Sequence, residues 1–209
     1  MMDRDDYEPK QAGSLKEIER GDIRFEHVSF SYDGKRDVLK EISFEVKNGQ
    51  TIAFVGHTGS GKSSIINLFM RFYEFDRGRI LIDGQDIKDY SQEALRKSIG
   101  LVLQEPFLYH GTIASNIRMY HEELTDEEIR QAAEFVDVAD FIESLPGGYD
   151  HPVTERGSTL STGQRQLLAF ARTIAAQPKI LILDEATANI DQETEEMIQN
   201  SLKKMRQGR

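Results

Sequence analysis

The chain of 209 residues contains no cysteine, no long apolar run and no excess of positive charge. The absence of cysteine excludes disulfide-stapled scaffolds and zinc–thiolate sites. No apolar run approaches the roughly 18 to 20 residues that a membrane-spanning helix requires, and residues 1–6 lack the apolar segment of a signal peptide. The net charge of −10 argues against a nucleic-acid surface, because neutralising phosphates requires clustered Lys and Arg. Composition alone therefore predicts a soluble, cytoplasmic protein that binds no nucleic acid.

A phosphate-binding loop is the strongest positive feature of the sequence. Residues 56–63 (GHTGSGKS) fit the pattern G-x-x-x-x-G-K-[ST], flanked as the motif requires by a β-prone run at 51–55 and a helical apolar pattern at 64–70. Such a loop turns its backbone N–H groups toward phosphate oxygens at a helix N-terminus. Lys62 then reaches the β- and γ-phosphates, and the Ser63 hydroxyl ligates Mg²⁺. The predicted nucleotide contacts in this region are Gly56, Thr58, Gly59, Ser60, Gly61, Lys62, Ser63 and Ser64.

A pair of carboxylates at the end of an apolar strand is the second chemical feature. Residues 180–183 (ILIL) predict a buried strand that ends in Asp184 and Glu185, at the edge where α/β sheets bind ligands. Asp184 would hold Mg²⁺ through water, and Glu185 would polarise the attacking water. A core strand that merely ends in a charged turn gives the same pattern. The phosphate loop upstream favours the catalytic interpretation.

The remaining pattern is that of an α/β chain interrupted by a helical stretch. Apolar and polar residues alternate with a period of two between residues 23 and 46, which predicts antiparallel strands with one face exposed to solvent. The dipeptides Asp33-Gly34 and Asn48-Gly49 supply turn chemistry around them. Further expected elements are a strand and turn at 79–84, an apolar strand at 99–104, helices between 113 and 145 with Thr125 as an N-cap, and a helix at 163–176.

Residues 160–166 (LSTGQRQ) resemble the signature motif, usually written LSGGQ, of the ATP-binding cassette (ABC) family. Tyr32 resembles the aromatic residue that stacks on adenine in that family, and Gln104 resembles the glutamine that touches Mg²⁺ or the attacking water. Residues 186–191 resemble the loop whose aspartate contacts the opposite subunit. The resemblance covers nearly the whole chain from about residue 23. It implies an α/β fold with a P-loop NTPase (RecA-like) core, an antiparallel β subdomain and an inserted α-helical subdomain at about 113–160.

The resemblance also implies an ATPase that uses ATP and Mg²⁺ and works as a dimer. In the family each ATP lies between the phosphate loop of one cassette and the signature helix of another. The residues expected at a partner's nucleotide are therefore Ser161, Gly163 and Gln164. The resemblance gives Lys62, Gln104 and Glu185 as catalytic residues, and Ser63, Gln104 and Asp184 as metal ligands. ATP binding closes such a dimer and hydrolysis reopens it.

Two further stretches resemble the exporter branch of the family. Residues 106–113, followed by Asn116 and Ile117, resemble the segment that follows the glutamine in exporters. Residues 154–157 resemble the loop that contacts the coupling helices of a membrane domain. The resemblance implies membrane helices upstream of a cassette at the cytoplasmic face of a membrane. Residues 1–20 would be the remnant of the linker and residues 21–209 the cassette. The translocated substrate would touch only the membrane helices, and multidrug export is favoured over lipid or peptide export.

Two departures from the family pattern shape these expectations. Thr162 stands where the signature usually has its second glycine, so its side chain lies where backbone should approach the γ-phosphate. We therefore expect one half of a heterodimeric exporter, with a tolerated substitution in a homodimer as the alternative. All five histidines lie too early to be the family's γ-phosphate histidine, so we expect a truncated cassette that hydrolyses ATP weakly. The alternative functions are a soluble ABC ATPase unrelated to transport and a nucleotide-binding module with little turnover.

Overall fold

The computed structural model describes residues 13–15, 17–75, 77–119, 121–154, 157–184 and 192–206. Within them the chain forms two compact units of mixed α/β structure, divided between Ile99 and Gly100. None of the helices in these ranges has both the length and the apolar character needed to cross a bilayer.

The first unit is built on a four-stranded antiparallel sheet with the strand order β2-β1-β3-β4. The strands are β1 (Ile23–Phe30), β2 (Leu39–Val46), β3 (Arg77–Ile82) and β4 (Gln85–Asp86). The predicted alternation of buried and exposed side chains holds from Ile42 to Val46 in β2, whereas Lys40 and Glu41 are both exposed. In β1 it is interrupted at His27, whose φ of 49° accompanies a shift of register against both neighbouring strands. The predicted antiparallel strands are therefore confirmed.

Helix α1 (Lys62–Phe69) packs on this sheet through aromatic contacts. The ring of Phe25 in β1 stacks on that of Phe44 in β2 at 4.4 Å between centroids, and it lies 6.2 Å from the ring of Phe69. A 3₁₀ helix (Ile87–Asp89) and α2 (Gln92–Ser98) complete the unit. The helix predicted after the phosphate loop is thus confirmed.

The strand predicted at residues 51–55 is wrong. The structure has no regular element there, and Val55 is 93% exposed. The ring of Phe54 lies edge-on to Phe44 at 5.1 Å, so the segment contacts the antiparallel sheet through a side chain. β-Propensity reports how well side chains fit a pleated surface, and it supplies no hydrogen-bonding partner for the backbone. Among the described residues no strand pairs with this run.

The turn between β3 and β4 fixes the segment that precedes β1. Asp83 and Gly84 form this turn with φ of 51° and 81°. The Asp83 carboxylate accepts four backbone hydrogen bonds of 2.9–3.0 Å, donated by Glu19, Arg20, Gly21 and Asp22. Burial acts to raise the pKa of Asp83, but the four donors outweigh it and hold the pKa below its ordinary value.

The second unit is mainly helical, with two short pairs of strands, β5 with β8 and β6 with β7. Its elements are β5 (Ile99–Val102), β6 (Gly111–Thr112), α3 (Ile113–Arg118), α4 (Asp126–Phe135), α5 (Ala139–Ser144), a 3₁₀ helix (Gly148–Asp150), β7 (Pro152–Val153), α6 (Thr162–Ala175), β8 (Ile180–Leu183) and α7 (Gln192–Arg206). Helix α6 packs against α3 and α4 and places Phe170 at the centre of an apolar core with Ile113, Ile117 and Ile129.

Helix ends in this unit follow the capping chemistry of the sequence. Thr125 caps α4 through a reciprocal pair of hydrogen bonds with Glu128, as its position predicted. Helix α5 ends before Pro146, and Gly147 turns the chain with a φ of 91°. The helices expected between 113 and 145 and at 163–176 and the strand at 180–183 are all confirmed, whereas β5 ends two residues earlier than predicted.

Candidate functional site

The phosphate loop owes its shape to glycines in the left-handed region. Gly59 and Gly61 have φ of 83° and 95°, and Gly61 is the N-cap of α1. A Cβ built on Gly61 would lie 2.8 Å from Cδ2 of Leu39 and 3.2 Å from the carbonyl oxygen of Val38. Only glycine therefore fits between the loop and the start of β2.

The side chain of Lys62 folds back onto the backbone of the phosphate loop. Its Nζ donates to the carbonyl oxygen of Gly56 at 2.7 Å and to that of His57 at 3.5 Å. The N–H of Ser60 donates to the same His57 carbonyl at 3.1 Å. The ammonium group is thus held at the mouth of the loop, where the motif needs positive charge.

The loop and the first turn of α1 offer chemistry that suits a magnesium–phosphate group. The first N–H groups of any α-helix lack intrahelical acceptors, and here they belong to Lys62, Ser63 and Ser64. The helix dipole adds partial positive charge at the same place. Ser63 is exposed, so its hydroxyl is open to a metal that prefers oxygen ligands. No group of three or more His, Asp and Glu side chains in the described ranges forms a metal centre of its own.

Tyr32 is anchored beside the phosphate-loop helix. Its hydroxyl donates to Oγ of Ser64 at 3.0 Å and accepts from Nδ2 of Asn67 at 3.2 Å. The rings of Phe30 and Tyr73 lie edge-on to it at 4.7 and 4.9 Å. The ring remains 46% exposed, so part of it is open to a ligand. The role in adenine stacking stays a prediction.

The signature residues form the beginning of α6. Ser161 is its N-cap: Oγ accepts from the Gln164 N–H at 3.1 Å, and Oε1 of Gln164 accepts from the Ser161 N–H at 2.9 Å. The hydroxyl oxygen of Ser161 acts as an acceptor in this box, which leaves its O–H to donate to an anion. Gly163 is buried, and Thr162 is exposed with Oγ1 accepting from Nη2 of Arg165 at 3.1 Å.

Gln104 and Asp184 follow two paired strands of the second unit. The N–H of Asp184 donates to the carbonyl oxygen of Val102 at 3.0 Å, so its backbone lies beside the last residue of β5. Gln104 follows two residues further along and is exposed. Their assignment as metal ligands stays a prediction. Glu185 and residues 186–191, together with Glu155, lie outside the described residues.

Two buried polar residues of the second unit belong to motifs seen in the sequence but were not predicted as site residues. Asn116 is 2% exposed and Gln166 is 1% exposed. Asn116 shares the buried face of α3 with Ile113 and Ile117. A polar residue among buried apolar positions is the signal that a buried, hydrogen-bonded role leaves in a sequence. Gln166 gave no comparable signal, because it lies inside a polar motif.

A glycine-capped helix behind a lysine-bearing loop, in a mixed α/β unit, defines the class of P-loop nucleotide-binding proteins. Residues 39–188 match the ABC transporter family, and the chain belongs to that family.

Two curated relatives match nearly the whole chain. The chain is 68% identical to the putative ABC transporter ATP-binding protein exp8 of Streptococcus pneumoniae over all of this chain and 36% of the relative. It is 51% identical to YheH of Bacillus subtilis, a probable multidrug resistance ABC transporter ATP-binding/permease protein, over 96% of this chain and 30% of the relative. The chain therefore spans about a third of the length of these curated relatives.

A solved structure confirms the predicted fold class. A bacterial Atm1-family ABC exporter with ATP bound matches 95% of this chain and 34% of its own chain, with a TM-score of 0.85 and 41% identity. The chain is thus similar to about a third of an ABC exporter, and the family resemblance seen in the sequence is confirmed.

Proposed function

We propose that this domain binds ATP with Mg²⁺ and hydrolyses it to drive export across a membrane. The observation that carries the proposal is the phosphate loop, in which the left-handed Gly61 opens α1 while Lys62 is held over the Gly56 carbonyl. An anion at the phosphate loop is favoured by the N–H groups of the loop, by the dipole of α1 and by the ammonium group of Lys62.

Within this proposal Ser63, Gln104 and Asp184 hold Mg²⁺, which neutralises phosphate charge when bound. Glu185 accepts a proton from the attacking water, and Lys62 binds the β- and γ-phosphates. Tyr32 stacks on the adenine. These roles are carried over from the family, and the oxygen donors of Ser63 and Asp184 agree with a hard cation.

A second cassette completes each nucleotide site in the proposed mechanism. Ser161 caps α6, so its O–H and the first N–H groups of that helix are placed to bind a partner's γ-phosphate. The side chain of Thr162 stands at this surface, and we therefore propose a non-identical partner that supplies a glycine there.

The remaining partners belong to the membrane. We propose that the domain works at the cytoplasmic face, with its helical subdomain at about 113–160. Residues 154–157 would contact the coupling helices of a transmembrane domain, and closure would be transmitted to the membrane helices through the regions of Gln104 and Glu155. The transported molecule stays on that domain, and the name of the B. subtilis relative favours drugs as substrates.

Exchange of the loop lysine tests the proposal. Lys62→Ala removes the ammonium group that binds the phosphates, and we expect the retention of ATP·Mg²⁺ in equilibrium dialysis to fall by about tenfold or more. Lys97→Ala, which removes an exposed lysine at the end of α2, is the matched control and should retain ATP like the parent. Failure of the well-folded parent to retain ATP would refute the function.

A further inference from the structure

Asn116 organises the backbone of the segment that follows Gln104. Its Oδ1 accepts from the N–H of Tyr109 at 2.8 Å, and its Nδ2 donates to the carbonyl oxygens of Tyr109 at 2.8 Å and Thr112 at 3.0 Å. The side-chain amide of Asn116 thus satisfies both the N–H and the carbonyl oxygen of Tyr109, as a neighbouring β-strand would. This one side chain therefore links Tyr109 and Thr112, two positions of the segment that follows Gln104.

Arg172 of α6 fixes the same segment from the other side. Its Nε donates to the carbonyl oxygen of Asn116 at 2.7 Å, and its Nη2 donates to Oδ1 of Asn116 at 3.2 Å. Its Nη1 donates to the carbonyl oxygen of Phe107 at 3.0 Å. The guanidinium group also lies over the Tyr109 ring at 5.9 Å. Only a planar group with several fixed donors reaches all of these acceptors at once.

Gln166 of α6 holds the beginning of this segment. Its Nε2 donates to the carbonyl oxygen of Leu103 at 3.3 Å, directly before Gln104. Its Oε1 is buried and has no hydrogen-bond partner within the described ranges. Burying an unpaired oxygen costs free energy, so a role in stability alone would favour an apolar residue here.

We propose that Gln166 and Arg172 are positioning residues that clamp the segment 103–112 onto α6, Gln166 at Leu103 and Arg172 at Phe107 and through Asn116, and thereby hold Gln104 for hydrolysis. The inference rests on the proposed function, in which Gln104 touches Mg²⁺ or the attacking water. Helix α6 begins at the Ser161 cap, and Arg172 lies roughly 16 Å further along its axis. One rigid helix therefore joins the signature residues to the segment that carries Gln104.

Kinetics of single and double variants test the positioning role. Misplacing a catalytic group by about an ångström costs roughly 10- to 100-fold in rate, so Arg172→Met should lower kcat to that extent. KM for ATP should stay within about twofold, because the phosphate loop lies in the other unit. The kcat of Arg172→Lys should lie between those of the parent and Arg172→Met, because a lysine ammonium group replaces only some of the hydrogen bonds that the guanidinium group donates.

A double-mutant cycle separates positioning from general destabilisation. If Arg172 acts through Gln104, the variant Gln104→Ala with Arg172→Met should be no slower than the slower single variant. Fully additive losses in kcat would overturn the inference. Normal turnover of Arg172→Met, with Gln104→Ala impaired, would overturn it as well.

The mobility of a spin label on the segment tests the clamp without any measurement of ATP hydrolysis. The chain has no cysteine, so His110→Cys carries a single nitroxide on an exposed position of the segment. Arg172→Met should raise the label's mobility in the full chain. Arg130→Met is the matched control, because the Arg130 side chain lies in the same unit over the Tyr149 ring at 5.8 Å. Unchanged mobility in Arg172→Met, or equal mobilisation by Arg130→Met, would contradict the clamp.

The two proposals fail in distinguishable ways. A parent chain that neither retains nor hydrolyses ATP refutes the proposed function, and the nitroxide spectra still decide whether α6 holds the segment. A parent chain that hydrolyses ATP normally, with an immobile label in Arg172→Met, refutes only the clamp.

Discussion

At the scale of single residues, the carboxylate of Asp83 joins stretches of chain that are more than 60 residues apart. Asp83→Asn keeps the size of the side chain but turns an amide N–H₂ toward backbone donors. Hydrogen bonds to a charged group contribute about 1.5–3 kcal/mol, so we expect the free energy of unfolding at pH 7 to fall by about 1–3 kcal/mol. Urea unfolding followed by circular dichroism measures it.

The pH dependence of stability provides a control for the predicted effect of Asp83→Asn. The folded-state pKa of Asp83 lies below the unfolded value of about 3.9. The stabilisation is therefore complete above that value and is lost as the pH falls through the folded pKa. The difference between parent and Asp83→Asn should shrink at pH 3. Asp33→Asn, which alters an exposed turn carboxylate with two backbone donors, should change stability less. Equal effects of the two exchanges would contradict the assignment.

At the scale of elements, the start of α1 depends on the absence of a side chain at Gly61. Gly61→Ala adds a Cβ against Leu39 and Val38 in a left-handed conformation, which costs of order 1–3 kcal/mol for the backbone alone. We expect a lower thermal midpoint and weaker ATP retention. Gly34→Ala shares the positive φ but has nothing within 4 Å of its Cβ, and it isolates the backbone cost. Equal losses in both variants would show that the contacts with β2 contribute nothing.

At the scale of the whole molecule, nucleotide should control association with a second cassette. Glu185→Gln removes the base that activates water, so any ATP-bound closed dimer that forms should persist. We expect light scattering to show little self-association of this variant with ATP, because Thr162 obstructs the identical partner. Adding Thr162→Gly should raise the dimer fraction several-fold. Strong ATP-driven self-association without Thr162→Gly would favour the homodimer.

The sequence predicted most elements, because local patterns determine them. Alternation identified β2, the N-cap residue Thr125 with the acidic residues after it identified α4, and the phosphate loop was located by its spacing. The run at 51–55 has the right residues for a strand but lacks a pairing partner, and pairing is a long-range property.

The contacts of Arg172 could not be predicted from the sequence either. Its acceptors on Asn116 lie 56 residues away in sequence, and only the packing of α3 against α6 brings them together. The resemblance to the signature motif implied Ser161 and Gln164 as site residues, whereas their reciprocal cap required the backbone geometry of α6. The residues that hold a loop in place leave a weaker local pattern than the loop itself.

The four N–H groups gathered by Asp83 also have a mechanical consequence. Tension applied to the chain ahead of β1 would act on the tight turn between β3 and β4 before it could peel Ile23 from the sheet. Pulling from that end would therefore load two points of the domain at once, and the carboxylate would share the force with the strand ladder.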